Sequence, residues 1–221
     1  MLLQARERLE IKKISNKRIG IYGGAFDPLH YGHIKPIDEV FIKHQLDFIH
    51  FIPTNISNSK KNILASAENR LEMLKIGLSN KAYIVDDREI SREGISYTID
   101  TIRSVMEEYN DANIYLIIGS DVLSSLNEWK DYNNIISSCN IIVLSRMTRN
   151  IGSTVNNQLK SLISQDLGIF HSRSYGKIYT EETSTIDISS TEIRDKLQKN
   201  QTISNLIPPL LEQWLLNNKI Y

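Results

Sequence analysis

Short apolar runs alternate along this chain with segments of helical periodicity. The runs are continuous rather than interrupted by polar residues, and they are too short to be core helices. Strands that are buried on both faces have this composition, and they occur in parallel sheets covered by helices. We therefore predict an α/β fold, a Rossmann-like parallel sheet with helices on both faces. The predicted strands are 18–22, 48–52, 82–85, 113–118, 140–144 and 177–179.

The intervals between these strands have helical periodicity. The predicted helices cover 32–44, 97–109, 121–126, 131–137, 153–164, 191–198 and 206–217, with a further helix through Leu71, Leu74 and Leu78. Neither an internal repeat nor a low-complexity linker divides the chain. We therefore expect a single domain at 18–221, preceded by an N-terminal extension at 1–17.

The charge balance restricts the partners of the protein. Lys plus Arg and Asp plus Glu each number 26, whereas proteins that bind nucleic acids or membrane surfaces usually have a basic excess. No apolar run approaches the roughly 18 residues of a membrane span, and the N-terminus lacks the apolar centre of a signal peptide. The single cysteine, Cys139, is interpreted as a small buried hydrophobe. We expect a cytoplasmic protein with small-molecule partners, without nucleic acid or membrane, and an oligomer stays open.

The segment Gly23–His33 (GGAFDPLHYGH) follows the first predicted strand directly. Ligands of open parallel sheets bind beyond the carboxyl ends of the strands, so this turn lies where a ligand would bind. Gly23 and Gly24 allow the backbone to approach a phosphate closely. His30 and His33 lie three residues apart at the start of a helix, so they point to one side, towards the positive end of the helix dipole. The segment therefore predicts a polyphosphate-binding turn.

Other interpretations of the two histidines stay open at this point. Together with Asp27 they could ligate a metal ion, but no second cluster completes a ligand set, so we expect no resident metal. One of them could instead cap the turn in a purely structural role. The segment matches neither the P-loop pattern nor G-x-G-x-x-G, which disfavours an ATPase and a dehydrogenase.

A second candidate phosphate site lies near the end of the chain, at 188–194 (ISSTEIR). Ser189 and Glu192 fit a capping box at a helix start. Capping does not explain why two more hydroxyl residues and Arg194 follow at the same helix end. Free N–H groups, hydroxyls and a guanidinium together suit a triphosphate.

The first segment resembles the G-x-F-D-P-x-H-x-G-H motif of nucleotidyltransferases, and the second resembles their I-S-S-T-x-I-R motif. Shorter stretches between them resemble, in the same order, those of bacterial nicotinate-nucleotide adenylyltransferases. These stretches are 52–55, 69–74, 96–98, 118–121, 128–129 and 176–179. The resemblance implies a fold of nucleotidyltransferase type. It also implies adenylyl transfer from ATP to nicotinate mononucleotide in NAD biosynthesis, giving deamido-NAD and pyrophosphate.

The resemblance also implies a role for each matched residue. The catalytic residues would be His30, His33 and Arg194. ATP, carrying Mg²⁺, would be bound by Gly23, Gly24, Ala25, Phe26, Asp121, Ser189, Ser190 and Thr191. Nicotinate mononucleotide would be bound by Asn55, Tyr97, Thr98 and Trp129.

Three of these roles are more specific. Asp121 would bind the adenosine ribose, although an Asp after a strand is also a good helix N-cap. Trp129 would stack on the nicotinate ring, although a lone Trp is more often a core residue. Tyr97 and Thr98 would meet the nicotinate carboxylate, although they also fit a plain helix start.

The sequence departs from the family pattern at two places. Ala25 stands where relatives usually have Thr or Ser, and the loop after Asn55 lacks a histidine. Lys60 or Lys61 could replace that histidine as a phosphate contact, and Arg70 could contact phosphate or brace the loop. The alternatives are an adenylyltransferase acting on nicotinamide mononucleotide or phosphopantetheine, and a non-catalytic nucleotide-binding module.

Overall fold

Parallel strands form one sheet at the centre of the protein. The structure is a computed structural model that describes residues 17–56, 63–145, 157–184, 186 and 188–221. Within these residues the strands are β1 (Arg18–Gly24), β2 (Phe48–Pro53), β3 (Ile84–Val85), β4 (Asn113–Gly119), β5 (Asn140–Ser145), β6 (Ile163–Ser164) and β7 (Ile178–Glu182). Their order across the sheet is β3-β2-β1-β4-β5-β7-β6, and every pairing is parallel.

Helices connect the strands and cover the sheet. They are α1 (Tyr31–Lys43), α2 (Ala67–Gly77), α3 (Thr98–Glu108), α4 (Ser120–Leu123), α5 (Tyr132–Ser138), α6 (Asn157–Leu162), α7 (Leu167–His171), α8 (Ser190–Gln198) and α9 (Pro209–Asn218). A short 3₁₀-helix, Leu126–Glu128, lies between α4 and α5. In the part of the chain that the structure describes, no helix has the length and apolar character needed to cross a membrane.

The two faces of the sheet carry separate hydrophobic cores. Along β4, Tyr115 and Ile117 belong to the core that contains residues of α1, α2, α7, α8 and α9. Leu116 and Ile118 belong to the other core, which contains residues of α3, α4, α5 and α6. Successive strand residues point to opposite faces, so an apolar run such as 114–118 is buried on both sides. The predicted parallel α/β fold with helices on both faces is confirmed.

The strand order reverses between β1 and β4. The chain moves from β1 to β2 and β3 on one side, then returns through α3 to β4 on the other side of β1. In register, Ile19 pairs with Phe48 of β2 and with Ile114 of β4. Such a reversal leaves a crevice beyond the carboxyl ends of the two strands, which is the usual ligand position in this architecture.

Most predicted elements are present, but the region before β7 differs. The predicted helix at 153–164 is described only from Asn157, and it ends at Leu162 because 163–164 pairs with β7. The last helix begins at Pro209 rather than at 206, since proline favours the first turn of a helix. The predicted extension at 1–17 lies outside the described residues, apart from Lys17.

A buried ionic network joins β2, the residues after β3 and α3. His50 Nδ1 lies 2.7 Å from Asp86 Oδ2, and His50 Nε2 lies 3.0 Å from the Tyr109 hydroxyl. Arg88 pairs with Asp86 at 2.6 Å and with Glu108 at 2.7 Å. Burial would raise the pKa of Asp86, but the hydrogen bond to His50 and the charge of Arg88 outweigh it and lower that pKa to about 2.

The single cysteine is a core residue. Cys139 is fully buried beneath α5, and burial raises the pKa of its thiol to about 12. A thiol held in its protonated form is a poor nucleophile. The prediction of a small buried hydrophobe at this position is confirmed.

Candidate active site

A cleft of about 1400 Å³ opens at the carboxyl ends of the central strands. Its lining includes the ends of β1, β4 and β5, the first residues of α3, and the first turn of α8. Segments far apart in sequence therefore meet at the strand-order reversal. The predicted site residues that line it are Gly23, Gly24, Ala25, Phe26, His30, His33, Tyr97, Thr98, Asp121, Trp129, Ser189, Ser190, Thr191 and Arg194.

Phe26 anchors the turn after β1. Its backbone is in the left-handed region, at φ +50°, which costs a bulky residue on the order of 1–2 kcal/mol. Its ring is 2% exposed and packs edge-on against Tyr22, so burial offsets that cost. Arg70 is also buried and donates from Nη1 to the carbonyl of Ala25 at 3.0 Å. The turn is therefore fixed from its core side and presents its other side to the cleft.

The two histidine rings lie against each other at the start of α1. Their centroids are 3.7 Å apart and their planes differ by 26°. The backbone N–H of His30 donates to Nδ1 of His33 at 3.3 Å. A neutral ring that accepts at Nδ1 carries its proton on Nε2, so this contact favours that tautomer of His33.

His30 is held as a neutral ring. It is 5% exposed, and burial lowers its pKa to about 4. Within the described residues its buried Nδ1 has no hydrogen-bond partner. Near pH 7 the ring is therefore neutral, so it can donate one hydrogen bond but does not carry a positive charge.

Gly32 allows the two rings to stack. A Cβ at this position would lie 2.9 Å from Nδ1 of His30 and 3.4 Å from the carbonyl oxygen of Ile188. Any larger residue would push the His30 ring away or separate α1 from the segment before α8. A glycine stands between the two histidines because a larger side chain would not fit beside the His30 ring.

The two motifs at the ends of the chain are in direct contact. Arg194 donates from Nη1 to the backbone carbonyl of Asp27 at 2.7 Å and lies 3.5 Å from its Oδ2. The Ser190 hydroxyl donates to the carbonyl of Pro28 at 3.0 Å. These contacts place the first turn of α8 beside the turn after β1, so both predicted phosphate sites face one cleft.

The carboxylate of Asp27 is occupied by donors from three directions. The backbone N–H groups of Leu64 and Ala65 donate to it at 2.7 and 3.0 Å, and the Tyr221 hydroxyl donates at 2.7 Å. Asp27 is 3% exposed. These contacts hold the turn after β1 in place. No group of three or more His, Cys, Asp or Glu side chains among the described residues could hold a metal ion.

The first turn of α8 keeps part of its donor capacity for a ligand. The Ser189 hydroxyl accepts from the backbone N–H of Glu192 at 3.1 Å, which confirms the predicted N-cap. The first N–H groups of any helix have no partner within the helix. Those of Ser190 and Thr191 lie at the cleft, with the partial positive charge of the helix end.

Asp121 lies at the end of β4. The N-cap of α4 is Gly119, so the alternative reading of Asp121 as the N-cap is wrong. A Cβ on Gly119 would overlap Oδ1 of Asp121, which shows that the carboxylate folds back over the strand end. Asp121 is exposed in the cleft, as a ribose contact requires.

The far end of the cleft is built by α3 and the segment after the 3₁₀-helix. Tyr97 is the N-cap of α3 and Thr98 its first residue, so the predicted helix start is confirmed. Trp129 is partly buried against the core behind it. Lys130 follows, with its ammonium 3.9 Å from the centroid of the Tyr97 ring.

Two of the remaining predicted contacts, Asn55 and Arg70, are not among the described residues that line the cleft. Asn55 donates from Nδ2 to the Arg92 carbonyl at 3.2 Å, so it holds the loop that precedes α3. Arg70 is 2% exposed and braces the turn after β1. Of its two predicted roles, phosphate contact or bracing, the structure therefore favours bracing. Lys60 and Lys61 lie outside the described residues.

Sequence reasoning missed several residues of this cleft. Glu89 lines it, is 7% exposed, and accepts from the Thr101 hydroxyl at 2.6 Å. No pattern distinguishes it from a surface glutamate. Lys130 had a usable signal, since it directly follows Trp129. Tyr221 does not line the cleft but holds Asp27, and it had no signal because that contact spans 194 residues of sequence.

The comparisons with known proteins agree with this geometry. The cytidylyltransferase-like family matches residues 21–196, and the chain belongs to that family of nucleotidyltransferases. A protein of Psychromonas ingrahamii named "Probable nicotinate-nucleotide adenylyltransferase" is 34% identical over 213 residues, covering 94% of this chain and 99% of the relative. A protein of the same name from Dictyoglomus turgidum is 33% identical over 205 residues, covering 92% and 95%. Within the larger class, the chain is thus a member of the nicotinate-nucleotide adenylyltransferase family.

A solved structure shows the same fold. The nicotinic acid mononucleotide adenylyltransferase of Plasmodium falciparum, determined in complex with NaAD, superposes with a TM-score of 0.70. It is 21% identical, and the match covers 92% of this chain and 97% of that one. The nucleotidyltransferase type of the predicted fold is confirmed.

Proposed function

We propose that this protein transfers the adenylyl group of ATP to nicotinate mononucleotide, forming deamido-NAD and pyrophosphate in NAD biosynthesis. The observation that carries the proposal is the contact between Arg194 and Asp27, which joins two phosphate-binding motifs in one cleft. The same cleft contains an aromatic residue, Trp129, at its far end. An enzyme that forms a dinucleotide needs a site for the polyphosphate and a site for the aromatic ring of the acceptor in the same cavity.

The reaction is an in-line displacement at phosphorus. A phosphate oxygen of nicotinate mononucleotide forms a bond to the α-phosphorus of ATP, while the bond from that phosphorus to the bridging oxygen breaks. The electron pair leaves with pyrophosphate. Because the attacking phosphate is already an anion near neutral pH, no strong general base is required. Catalysis then depends on positioning and on stabilising the charge of the transition state.

His30 and His33 would donate hydrogen bonds to the α- and β-phosphate oxygens. The neutral His30 and the Nε2–H of His33 are suited to this task, since donors fixed before the reaction cost no reorganisation. The α8 N-terminus and Arg194 would hold the outer phosphates. Lys60 and Lys61 are proposed as additional phosphate contacts, and Ala25 would offer only its backbone.

ATP enters this scheme as its magnesium complex. Mg²⁺ retains several waters and is often bound through substrate phosphates rather than through a protein cage. Carried by the triphosphate, Mg²⁺ would neutralise part of the phosphate charge, while His30, His33 and Arg194 would hold the phosphates themselves.

The acceptor and the adenosine would lie on either side of the phosphates. Trp129 is proposed to stack on the nicotinate ring, and the N–H groups and hydroxyls of Tyr97 and Thr98 to meet its carboxylate. Asp121 is proposed to bind the ribose of ATP. Asn55 would act indirectly, by holding the loop next to α3. A cytoplasmic protein without nucleic-acid partners fits these small substrates.

Incubation with ATP, Mg²⁺ and one acceptor at a time tests the assignment. Pyrophosphate release should be fastest with nicotinate mononucleotide and should require Mg²⁺. Faster release with nicotinamide mononucleotide or phosphopantetheine would establish the alternative acceptor. If ATP binds but no acceptor releases pyrophosphate, the protein is a non-catalytic nucleotide-binding module.

A further inference from the structure

The cleft has few permanent positive charges. Of the described residues that line it, Lys130 and Arg194 are the two lysine or arginine side chains. Arg194 is bound to Asp27 beside the phosphate turn. Lys130 instead lies beside Tyr97 and directly follows Trp129, so among the described lysines and arginines of the cleft it is the cation next to the proposed acceptor site.

Carboxylates surround that end of the cleft. Glu89 and Glu128 line it, and Oδ2 of Asp100 lies 3.7 Å from the ammonium of Lys130. An acceptor with a further carboxylate would be repelled by these groups. The positive charge of Lys130 is the feature that can reverse this repulsion.

The position of the Lys130 ammonium is set by two contacts. It lies 3.9 Å from the centroid of the Tyr97 ring, in cation–π distance, and 3.7 Å from Asp100. Both partners belong to the start of α3. The side chain is 48% exposed and lines the cleft, so the ammonium retains donors that are accessible to a ligand.

We propose that Lys130 is a specificity-determining residue that binds the carboxylate of nicotinate mononucleotide and so favours the acid over the amide. This inference rests on the proposed function and names the side chain that would recognise the carboxylate of the acceptor. A carboxylate accepts a charge-assisted hydrogen bond from an ammonium, whereas a neutral carboxamide gains less from the same charge. Trp129, the preceding residue, would hold the ring while Lys130 holds its substituent.

The test is the pair of variants Lys130→Met and Lys130→Arg, assayed with both mononucleotides. Lys130→Met should raise the KM for nicotinate mononucleotide about tenfold, as expected for one lost charge-assisted hydrogen bond. The KM for ATP and the rate with nicotinamide mononucleotide should stay within about twofold. Lys130→Arg restores the charge and should recover most of the loss.

Arg103→Met is the matched control. Arg103 pairs with the same Asp100, is 49% exposed, and does not line the cleft. Its substitution should leave both acceptors unchanged. The inference is overturned if Lys130→Met affects both mononucleotides equally or neither of them. If the unmodified protein forms no product with any acceptor, the proposed function itself fails, so the two failures are distinguishable.

Discussion

Arg194 donates to the backbone carbonyl of Asp27 at 2.7 Å and lies 3.5 Å from its carboxylate, across 167 residues of sequence. Asp27 belongs to the turn after the central strand β1, and Arg194 to the second turn of α8. The guanidinium, together with the Ser190 hydroxyl that donates to the Pro28 carbonyl, therefore fixes the distance between the two proposed phosphate-binding segments. Because it is 14% exposed, this contact is shielded from solvent more than an ordinary surface ion pair.

Arg194→Met should lower both turnover and stability. The substitution removes a charge-assisted hydrogen bond and leaves Asp27 buried with one donor fewer, at a cost of about 1.5–3 kcal/mol. Lys196→Met on the same helix removes only a more exposed pair with Glu192, worth at most about 1 kcal/mol. Urea denaturation and pyrophosphate release measure the two effects. Equal stability losses in both variants would contradict the structural role of Arg194.

His33→Ala should remove most of the activity without unfolding the protein. The loss of one preorganised donor typically lowers turnover about 10²–10³-fold. Stability should fall by less, since the hydrogen bond that His33 accepts from the His30 backbone is long, at 3.3 Å. Pyrophosphate release and thermal unfolding should be measured on the same preparation. Turnover near that of the unmodified protein would contradict the assigned site.

Gly32→Ala should lower the turnover of the enzyme while leaving its stability nearly unchanged. The added Cβ would lie 2.9 Å from the His30 ring, so the stacked histidines must shift, and we expect turnover to fall at least about tenfold. Ala is favoured over Gly in a helix by about 0.5–1 kcal/mol, which offsets part of the strain in the folded state. Thermal unfolding should therefore change little. An active variant would show that the ring position is not critical.

His30 should titrate near pH 4 in the free protein. Burial lowers its pKa to about 4, and the phosphates of bound ATP would favour the charged ring, so ATP should raise that pKa. NMR titration of the imidazole protons measures it, with His30→Gln for assignment. His171 is a matched control, since burial, Arg18 and His44 lower its pKa to about 4 outside the cleft. A similar shift in both histidines on adding ATP would contradict phosphate contact at His30.

Asp86 should make the protein sensitive to acid. Its pKa is lowered from 3.8 to about 2 in the folded state, so its contribution is complete above pH 4 and is lost as the pH falls towards 2. The difference corresponds to about 2 kcal/mol. Urea denaturation between pH 5 and pH 2 should show a steeper loss for the unmodified protein than for Asp86→Asn. The exposed Asp195→Asn should retain the steep loss, and a flat profile would contradict the network around His50.

The sequence was sufficient where local pattern determines structure. The run 114–118 is apolar on both faces, and only a covered parallel strand satisfies it. The capping bond of Ser189 could be predicted because its partner, the backbone N–H of Glu192, lies only three positions further along the chain. The glycines and histidines of the first turn are informative for the same reason, since their geometry is set within one segment.

The parts that depend on long-range packing could not be predicted. Asn55 is directed to the Arg92 carbonyl, which a local pattern does not encode. Strand β6 has two residues, too few for any periodicity, and exists because β7 pairs with it. Asp27 accepts from Tyr221 and from the loop before α2, and no spacing in the sequence relates these positions.

The dependence of the cleft on α8 has a consequence during synthesis. A ribosome completes β1 and the histidine turn early, but Ser190 and Arg194 emerge only after every strand of the sheet has been made. Until α8 has emerged, a nascent chain therefore contains only the first of the two proposed phosphate-binding segments. On the proposed function, ATP would meet a complete site only after that point, and its binding would then shift the finished protein further towards the native state by mass action.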